Sequence, residues 1–239
     1  MSKRALVIVP TFNERDNLPP LLAGLLAYPG VDVLVVDDQS PDGTGEVADA
    51  LASANPGRVN VLHRVERRGL GRSYVDGIAL AVRRPYDVIC QMDADLSHDP
   101  RHLPDLIAAT DHADVAIGSR YVPGGAIVNW PRRRRVLSRF ANLYIRTVTR
   151  LGPRDCTSGY RCWRREALAA LALDRFTSDG YSFLVEMLFA AARAGCRFAE
   201  VPITFVERRL GESKLSSAVL LESAITPWRL IATKDVGRP

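Results

Sequence analysis

The chain of 239 residues predicts an α/β fold, a mainly parallel sheet with helices packed on both faces. Three observations carry that expectation. Short β-branched runs alternate with stretches of helical periodicity, 47% of the residues are hydrophobic, enough for one large core, and the first two-thirds contains no repeat, low-complexity tract or linker. In chain order, RALVIV reads as a strand and is followed by a helix over 17–27. DVLVVD precedes a helix over 44–54, and RVNVLH precedes one over 72–83. YDVICQM and ADVAIG are two further strands. VPGGAIVNWP, rich in Gly and Pro, reads as a loop able to fold over a site. Helical patterns return over 133–150, 164–172 and 181–194, VPITFV is a late strand, and an amphipathic tail follows Gly211. The expected division is a catalytic unit over 1–210 that includes the basic amphipathic helix near 133–150, then a loop and tail over 211–239.

Composition narrows the function. Cys90, Cys156, Cys162 and Cys196 form no C-x-x-C pair and no zinc spacing, which predicts reduced thiols in an intracellular protein. MSKR followed by ALVIV is too short for the apolar region of a signal peptide. LSSAVLL, the best candidate span, stops at Glu222, well short of the ~20 apolar residues needed to cross a bilayer. The net charge of +5 is uneven: residues 115–154 hold nine Arg and no Lys, Asp or Glu, leaving a balance of −4 on the rest. Such a block is a solvated face or a surface for something anionic.

In open parallel sheets, ligands bind beyond the carboxyl ends of the strands. There the strands end in PTFNE, DDQSPDGT and DADLSHDP, which bring Glu14, Asp37, Asp38, Asp93 and Asp95 toward one edge. Carboxylates this close repel one another unless a cation or hydrogen-bond donors offset them. A calcium loop counted from Asp93 has His98 where Gly is wanted and Pro104 where Glu is wanted. A phosphatase with paired Asp leaves the first two strand ends without a role. The glycines of GLG are followed by Tyr74 where a dinucleotide fingerprint wants its third glycine. A magnesium or manganese ion held by Asp95 with Asp93, and clamping a diphosphate, accounts for the acids better. Asp99 and Pro100 read as the start of the next helix. His98 is expected to act behind the acids, and Glu186, inside SFLVEMLFAA, to be paired or near a site. Arg208 and Lys214 in FVERRLGESKL are cations suited to a departing diphosphate. Over 135–150, Arg135, Arg139, Arg146 and Arg150 share one side of a helix, opposite Val136, Leu137, Phe140, Leu143, Tyr144 and Val148. That pattern fits either a membrane surface or an ordinary core-packed helix. No nucleic-acid module surrounds it.

VPTFNERDNLP, VVDDQSPDGT, RGLGRSYVDG, MDADLSHDP, GSRYVPGG, the R-x-x-x-S of Arg134 and Ser138, TSGYRCWRREAL, SDGYSFLVEM and PITFVERRLGESKL, in that order, give the chain a near end-to-end resemblance to another group of sequences. It resembles the dolichol- or polyprenol-phosphate mannosyltransferases of glycosyltransferase family 2, with the GT-A fold. The resemblance implies that Pro10, Phe12, Glu14, Val36 and Asp38 hold the nucleoside of GDP-mannose. It implies that Asp93, Ala94 and Asp95 meet the diphosphate and metal, and that Arg120, Arg208 and Lys214 contact phosphates. Arg120, Arg134 and Ser138 would receive the phosphate of a polyprenyl acceptor. Two positions depart from the family pattern: Phe12 stands where Tyr is common, and Ser97 where some relatives use Gln on the metal. The implied reaction inverts the sugar and yields a polyprenyl β-phosphomannose. The implied enzyme is cytoplasmic, bound peripherally to the cytoplasmic face of the membrane through the Arg-rich helix, with a separate anchoring protein as a possible partner. Alternatives are transfer from a UDP-sugar, such as a glucosyl donor, and a catalytically silent binding protein.

Overall fold

The computed structural model describes residues 3–66, 69–176, 178, 180–207 and 217–232. Its strands are β1 (Ala5–Thr11), β2 (Val31–Asp37), β3 (Val59–His63), β4 (Val88–Gln91), β5 (Val115–Ser119), β6 (Ala126–Val128), β7 (Arg161–Arg164), β8 (Phe198–Pro202) and β9 (Thr204–Val206). Its helices are α1 (Leu18–Leu26), α2 (Thr44–Ala54), α3 (Leu70–Ala81), α4 (Leu103–Ala109), α5 (Arg132–Thr149), α6 (Arg165–Ala169), α7 (Gly180–Arg193) and α8 (Ser217–Ala232). Seven strands form the main sheet in the order β3-β2-β1-β4-β7-β5-β8, and β6 pairs with β9 beside it. All neighbours in the main sheet are parallel except β7, which runs antiparallel between β4 and β5.

Alternation along β1 divides the core. Ala5, Val7 and Val9 face α1, α2 and α4, whereas Leu6 and Ile8 face α3 and α7. Helix α3 lies very close to the sheet, since a methyl group on Gly77 would fall 2.9 Å from Ile8 and 3.1 Å from Val36. Helix α8 packs on α5 and α7, with Leu230 fully inside the second layer.

Several elements differ from the sequence reading. The helix expected over 164–172 shrinks to Arg165–Ala169: β7, Arg161–Arg164, takes its first residue, and the helix stops at its cap Ala170. Arg161 hid it: a charged residue argues against a buried strand, yet this one is fully buried, with its guanidinium donating to the carbonyls of Leu184 and Cys156. VPITFV divides into the ends of β8 and β9, and the expected loop contains β6, whose partner β9 lies far along the chain. Cys90 and Cys162 form a disulfide, which corrects the expectation of four reduced thiols. They are 72 residues apart in sequence but stand directly opposite each other on β4 and β7, with Cα atoms 4.1 Å apart, so only the pairing of the strands reveals them. Cys156 and Cys196 are thiols, and burial pushes the Cys156 thiol up to about 12.

Candidate active site

The loops after β1, β2 and β4 each place a non-glycine residue in the left-handed region: Asn13 (φ 61), Gln39 (φ 58) and Leu96 (φ 60). That conformation costs about 1 kcal/mol or more for a side chain such as Leu. Neighbouring carboxylates supply the compensation by turning the chain. Ser40 N–H donates to Asp37 at 3.2 Å and Ser97 N–H donates to Asp95 at 3.1 Å. Asp37 also accepts from Thr11 Oγ1 at 3.0 Å and Ser40 Oγ at 2.6 Å. Asp38 accepts from the Arg64 guanidinium and from Gly69 N–H at 2.9 Å, and Glu14 accepts from Asn17 Nδ2 at 2.7 Å. Pro10 and Val36 are buried inside β1 and β2 and Phe12 is half-buried just beyond β1. Since the Val36 side chain packs toward Gly77, only its backbone is left to meet a ligand.

Beyond β4, a cavity of about 460 Å³ has Asp93 and Asp95 in its wall. Its wall also includes Arg120, Arg134 and Ser138, so five of the residues chosen from sequence line one space. Ala94 is buried next to the two acids. Ser97 is buried too, with its Oγ donating to Asp95 and fixing that carboxylate. Arg208 and Lys214 lie outside the described residues. Asp99 caps the turn Pro100–His102, as expected, by accepting from Arg101 N–H at 2.9 Å.

Asp93 is half-buried and tightly surrounded. Tyr74 Oη approaches its Oδ1 at 3.4 Å, and burial together with the Asp93 charge raises the Tyr74 pKa well above its ordinary value, keeping the phenol a donor. A methyl on Gly159 would come within 3.2 Å of both Asp93 oxygens, so the glycine makes room for the carboxylate. His98 lies between the rings of Tyr160 and Phe205, and its Nδ1 accepts from Asp93 N–H at 3.4 Å. Burial lowers the His98 pKa even though Asp93 and Asp95 oppose it, which keeps the ring neutral at neutral pH.

The two arginines of the wall are held differently. Arg120 makes a two-pronged pair with Asp155, both bonds 2.7 Å, and also donates to Thr157 at 2.8 Å. Burial acts to raise the Asp155 pKa, but the Arg120 charge and hydrogen bonds outweigh it and hold the carboxyl below its usual range. The Arg134 guanidinium stacks 4.1 Å from the Trp130 ring centre and donates once, from Nη1, to Glu207 at 2.7 Å. Arg134 Nε and Trp130 Nε1 are buried without a hydrogen-bond partner among the described residues. Ser138 Oγ accepts from Tyr121 Oη at 2.7 Å.

The cavity also has apolar lining: Leu137, Phe140 and Ile145 of α5, Val185 of α7 and Pro227 of α8. Tyr144 Oη joins α5 to α8 by donating to the Ala224 carbonyl at 2.6 Å. Val136 (67%), Phe140 (64%), Leu143 (59%) and Trp228 (57%) are exposed, so much of the apolar side of α5 faces outward, while Tyr144 and Ile145 pack on the core. The sequence reading missed Trp130, Tyr121, Asp155, Thr157, Gly159 and the contribution of α8. Thr157 and Gly159 stand in the motif TSGYRCWRREAL without a role of their own, and Asp155 gains meaning only next to Arg120.

Among the described residues no three His, Cys, Asp or Glu side chains gather as a metal cluster. The acids present still fit a divalent cation of the kind that takes one or two carboxylates and completes its shell with phosphate oxygens and water. Among the described residues no helix is long and apolar enough to cross a membrane.

A family model described as glycosyl transferase family 2 matches residues 6–171. The undecaprenyl-phosphate mannosyltransferase of Micrococcus luteus is 50% identical over 232 residues, covering 96% of this chain and 95% of that protein. The polyprenol monophosphomannose synthase of Mycolicibacterium smegmatis is 48% identical over 242 residues, covering 99% and 91%. Among solved structures, glucosyl-3-phosphoglycerate synthase from Mycobacterium tuberculosis with UDP superposes with a TM-score of 0.69 at 19% identity, covering 98% of this chain and 82% of that one. The same synthase with Mn2+, UDP-glucose and glycerol 3-phosphate gives 0.67 at 19% identity, covering 99% and 81%. At that identity the likeness concerns the fold.

Proposed function

The chain belongs to glycosyltransferase family 2, and we propose that it transfers mannose from GDP-mannose to a polyprenyl phosphate, inverting the anomeric centre. The observation that carries this reading is one cavity lined at once by Asp93 and Asp95, by Arg120, Arg134 and Ser138, and by apolar side chains of α5, α7 and α8. The carboxylates suit a cation that holds a sugar diphosphate, the arginines and Ser138 a lipid phosphate, and the apolar wall the first part of its prenyl chain. The names of the relatives at about half identity support mannose as the sugar and a polyprenyl phosphate as the acceptor.

In this reading Pro10, Phe12, Glu14, Val36 and Asp38 hold the nucleoside at the ends of β1 and β2. Asp95, fixed by Ser97, and Asp93, backed by Tyr74, hold a magnesium or manganese ion. When bound, the cation neutralises charge on the departing diphosphate. Arg208 and Lys214 are assigned to the same diphosphate from the sequence motif. A phosphate monoester, with its second pKa near ~6, is largely dianionic at neutral pH and needs no strong base to attack. Alignment of its oxygen with the anomeric carbon is then the main work of Arg120, Arg134 and Ser138. A one-step displacement inverts that carbon and releases GDP.

The exposed apolar residues of α5 and α8, flanked by the arginines of α5, suit the surface of an anionic bilayer, where each cation contributes roughly 1 kcal/mol. This would set the cavity against the leaflet that holds the acceptor. The test is to incubate the purified protein with detergent-solubilised polyprenyl phosphate and either GDP-mannose or UDP-glucose, with and without EDTA. Mannolipid formed from GDP-mannose alone, and lost with EDTA, is the expected result. Transfer from UDP-glucose, or no turnover with either donor, would overturn the reading.

A further inference from the structure

Arg134 is paired with a carboxylate in the place where the proposed reaction needs a phosphate. Its Nη1 donates to Glu207 Oε1 at 2.7 Å. The guanidinium also lies over the Trp130 ring, its carbon 4.1 Å from the ring centre, so Glu207 is not its only contact. A planar guanidinium accepts a carboxylate or a phosphate on the same edge. Arg134 Nε, buried with no partner among the described residues, shows that Glu207 engages only part of that fork.

The partner is built differently from the one on Arg120. Asp155 is completely buried, bound through two parallel hydrogen bonds, and also accepts the Arg120 backbone N–H at 3.0 Å. The Glu207 side chain is 34% exposed and bound through one. Its main chain is anchored independently, by Glu207 N–H donating to the Val128 carbonyl at 3.2 Å, at the edge of the β6–β9 sheet. The carboxylate can therefore leave Arg134 by side-chain rotation while the backbone stays in place.

From this contrast we infer that Glu207 is an internal stand-in for the acceptor phosphate and sets the charge an acceptor needs to bind. The inference rests on the proposed lipid-phosphate site and adds a specificity residue to it. A dianionic phosphate monoester displaces the carboxylate from Arg134. A phosphodiester, with one charge, competes on equal terms and gains little. At a bilayer rich in anionic phosphodiester headgroups, this filter keeps the site open for the monoester.

The test uses the full chain with GDP-mannose and two short-chain probes, citronellyl phosphate as acceptor and its methyl ester, a monoanionic phosphodiester, as competitor. In Glu207→Gln the KM for citronellyl phosphate should fall roughly three-fold, as expected for loss of a competing part-exposed ion pair, and the Ki of the methyl ester should fall further. The KM for GDP-mannose should not follow. In the Arg134→Ala background the same substitution should leave both lipid-side constants unchanged. A higher acceptor KM in Glu207→Gln would show that the residue merely props Arg134 and would overturn the inference. So would an unchanged KM, or a fall that persists without Arg134. Absence of turnover in the unmodified protein would instead count against the proposed reaction itself.

Discussion

The acid edge beyond β1 and β2 and the flank formed by α5 and α8 stand on either side of one site, yet they are finished to different degrees. At the acid edge Asp37, Asp38 and Glu14 all have donors from within the chain. On the flank, Arg134 Nε, Arg146 Nε and Trp130 Nε1 are buried with no partner among the described residues, and Val136, Phe140, Leu143 and Trp228 face outward. Buried donors left without acceptors, and apolar side chains left in water, both cost stability. The difference teaches how each region meets its partner: the carboxylates of the first are set in place by donors from within the chain, and the second gains most from an anion and an apolar surface.

The largest effect should come from making an internally completed pair resemble the flank. Asp155→Ala leaves Arg120 charged and deeply buried next to an empty position, which should cost about 3–5 kcal/mol in urea unfolding. A loss below about 1 kcal/mol would mean that Arg120 finds another anion at once. Next, Asp95→Ala should lower kcat by roughly 10²–10³, far more than the roughly 1 kcal/mol of stability lost with its turn hydrogen bonds to Ser97 would explain. Normal turnover would remove the metal assignment. On the flank, Phe140→Asp combined with Trp228→Asp should weaken binding to phosphatidylglycerol vesicles by roughly ten-fold in a sedimentation assay, while circular dichroism stays unchanged. Unchanged vesicle binding would assign the exposed face to another partner.

The smallest effect at neutral pH concerns the Arg120–Asp155 pair as a titrating unit. Its carboxyl is held below the ordinary value of 3.8 in the folded chain, so the unfolded chain binds protons first as pH falls. The stabilisation is therefore complete above 3.8 and is lost as pH drops through the folded value. Acid unfolding of the protein should show this limb, and Asp155→Asn should lack it.

Much of this contrast was legible in the residues. The alternation of β-branched runs with helical periods anticipated β1 to β5 and most helices, and the acids at the strand ends anticipated the carboxylates of the cavity wall. The nine arginines and absence of acids in residues 115–154 likewise marked the cationic flank. The reading of α5 stayed divided between core and surface, because periodicity reports that one side is apolar and not what covers it. Strand β7 was hidden by Arg161, whose compensation comes from carbonyls far away in sequence. Glu207 looked like part of a solvated charged loop until its partner on α5 was known.

The sequence by itself determined the fold class, the strand-end acids and the local devices that need only a few neighbouring residues, such as the Asp99 cap and the Asp95–Ser97 turn. These depend on side-chain period and on hydrogen bonds across two or three positions. Only the tertiary structure decided that Cys90 meets Cys162, that Asp155 holds Arg120, and that Glu207 reaches Arg134. Each of those joins residues 35 to 73 positions apart, brought together by the insertion of β7 and the packing of β9. A chain can state what each residue offers, but pairing at that distance is selected by the packing of the whole core.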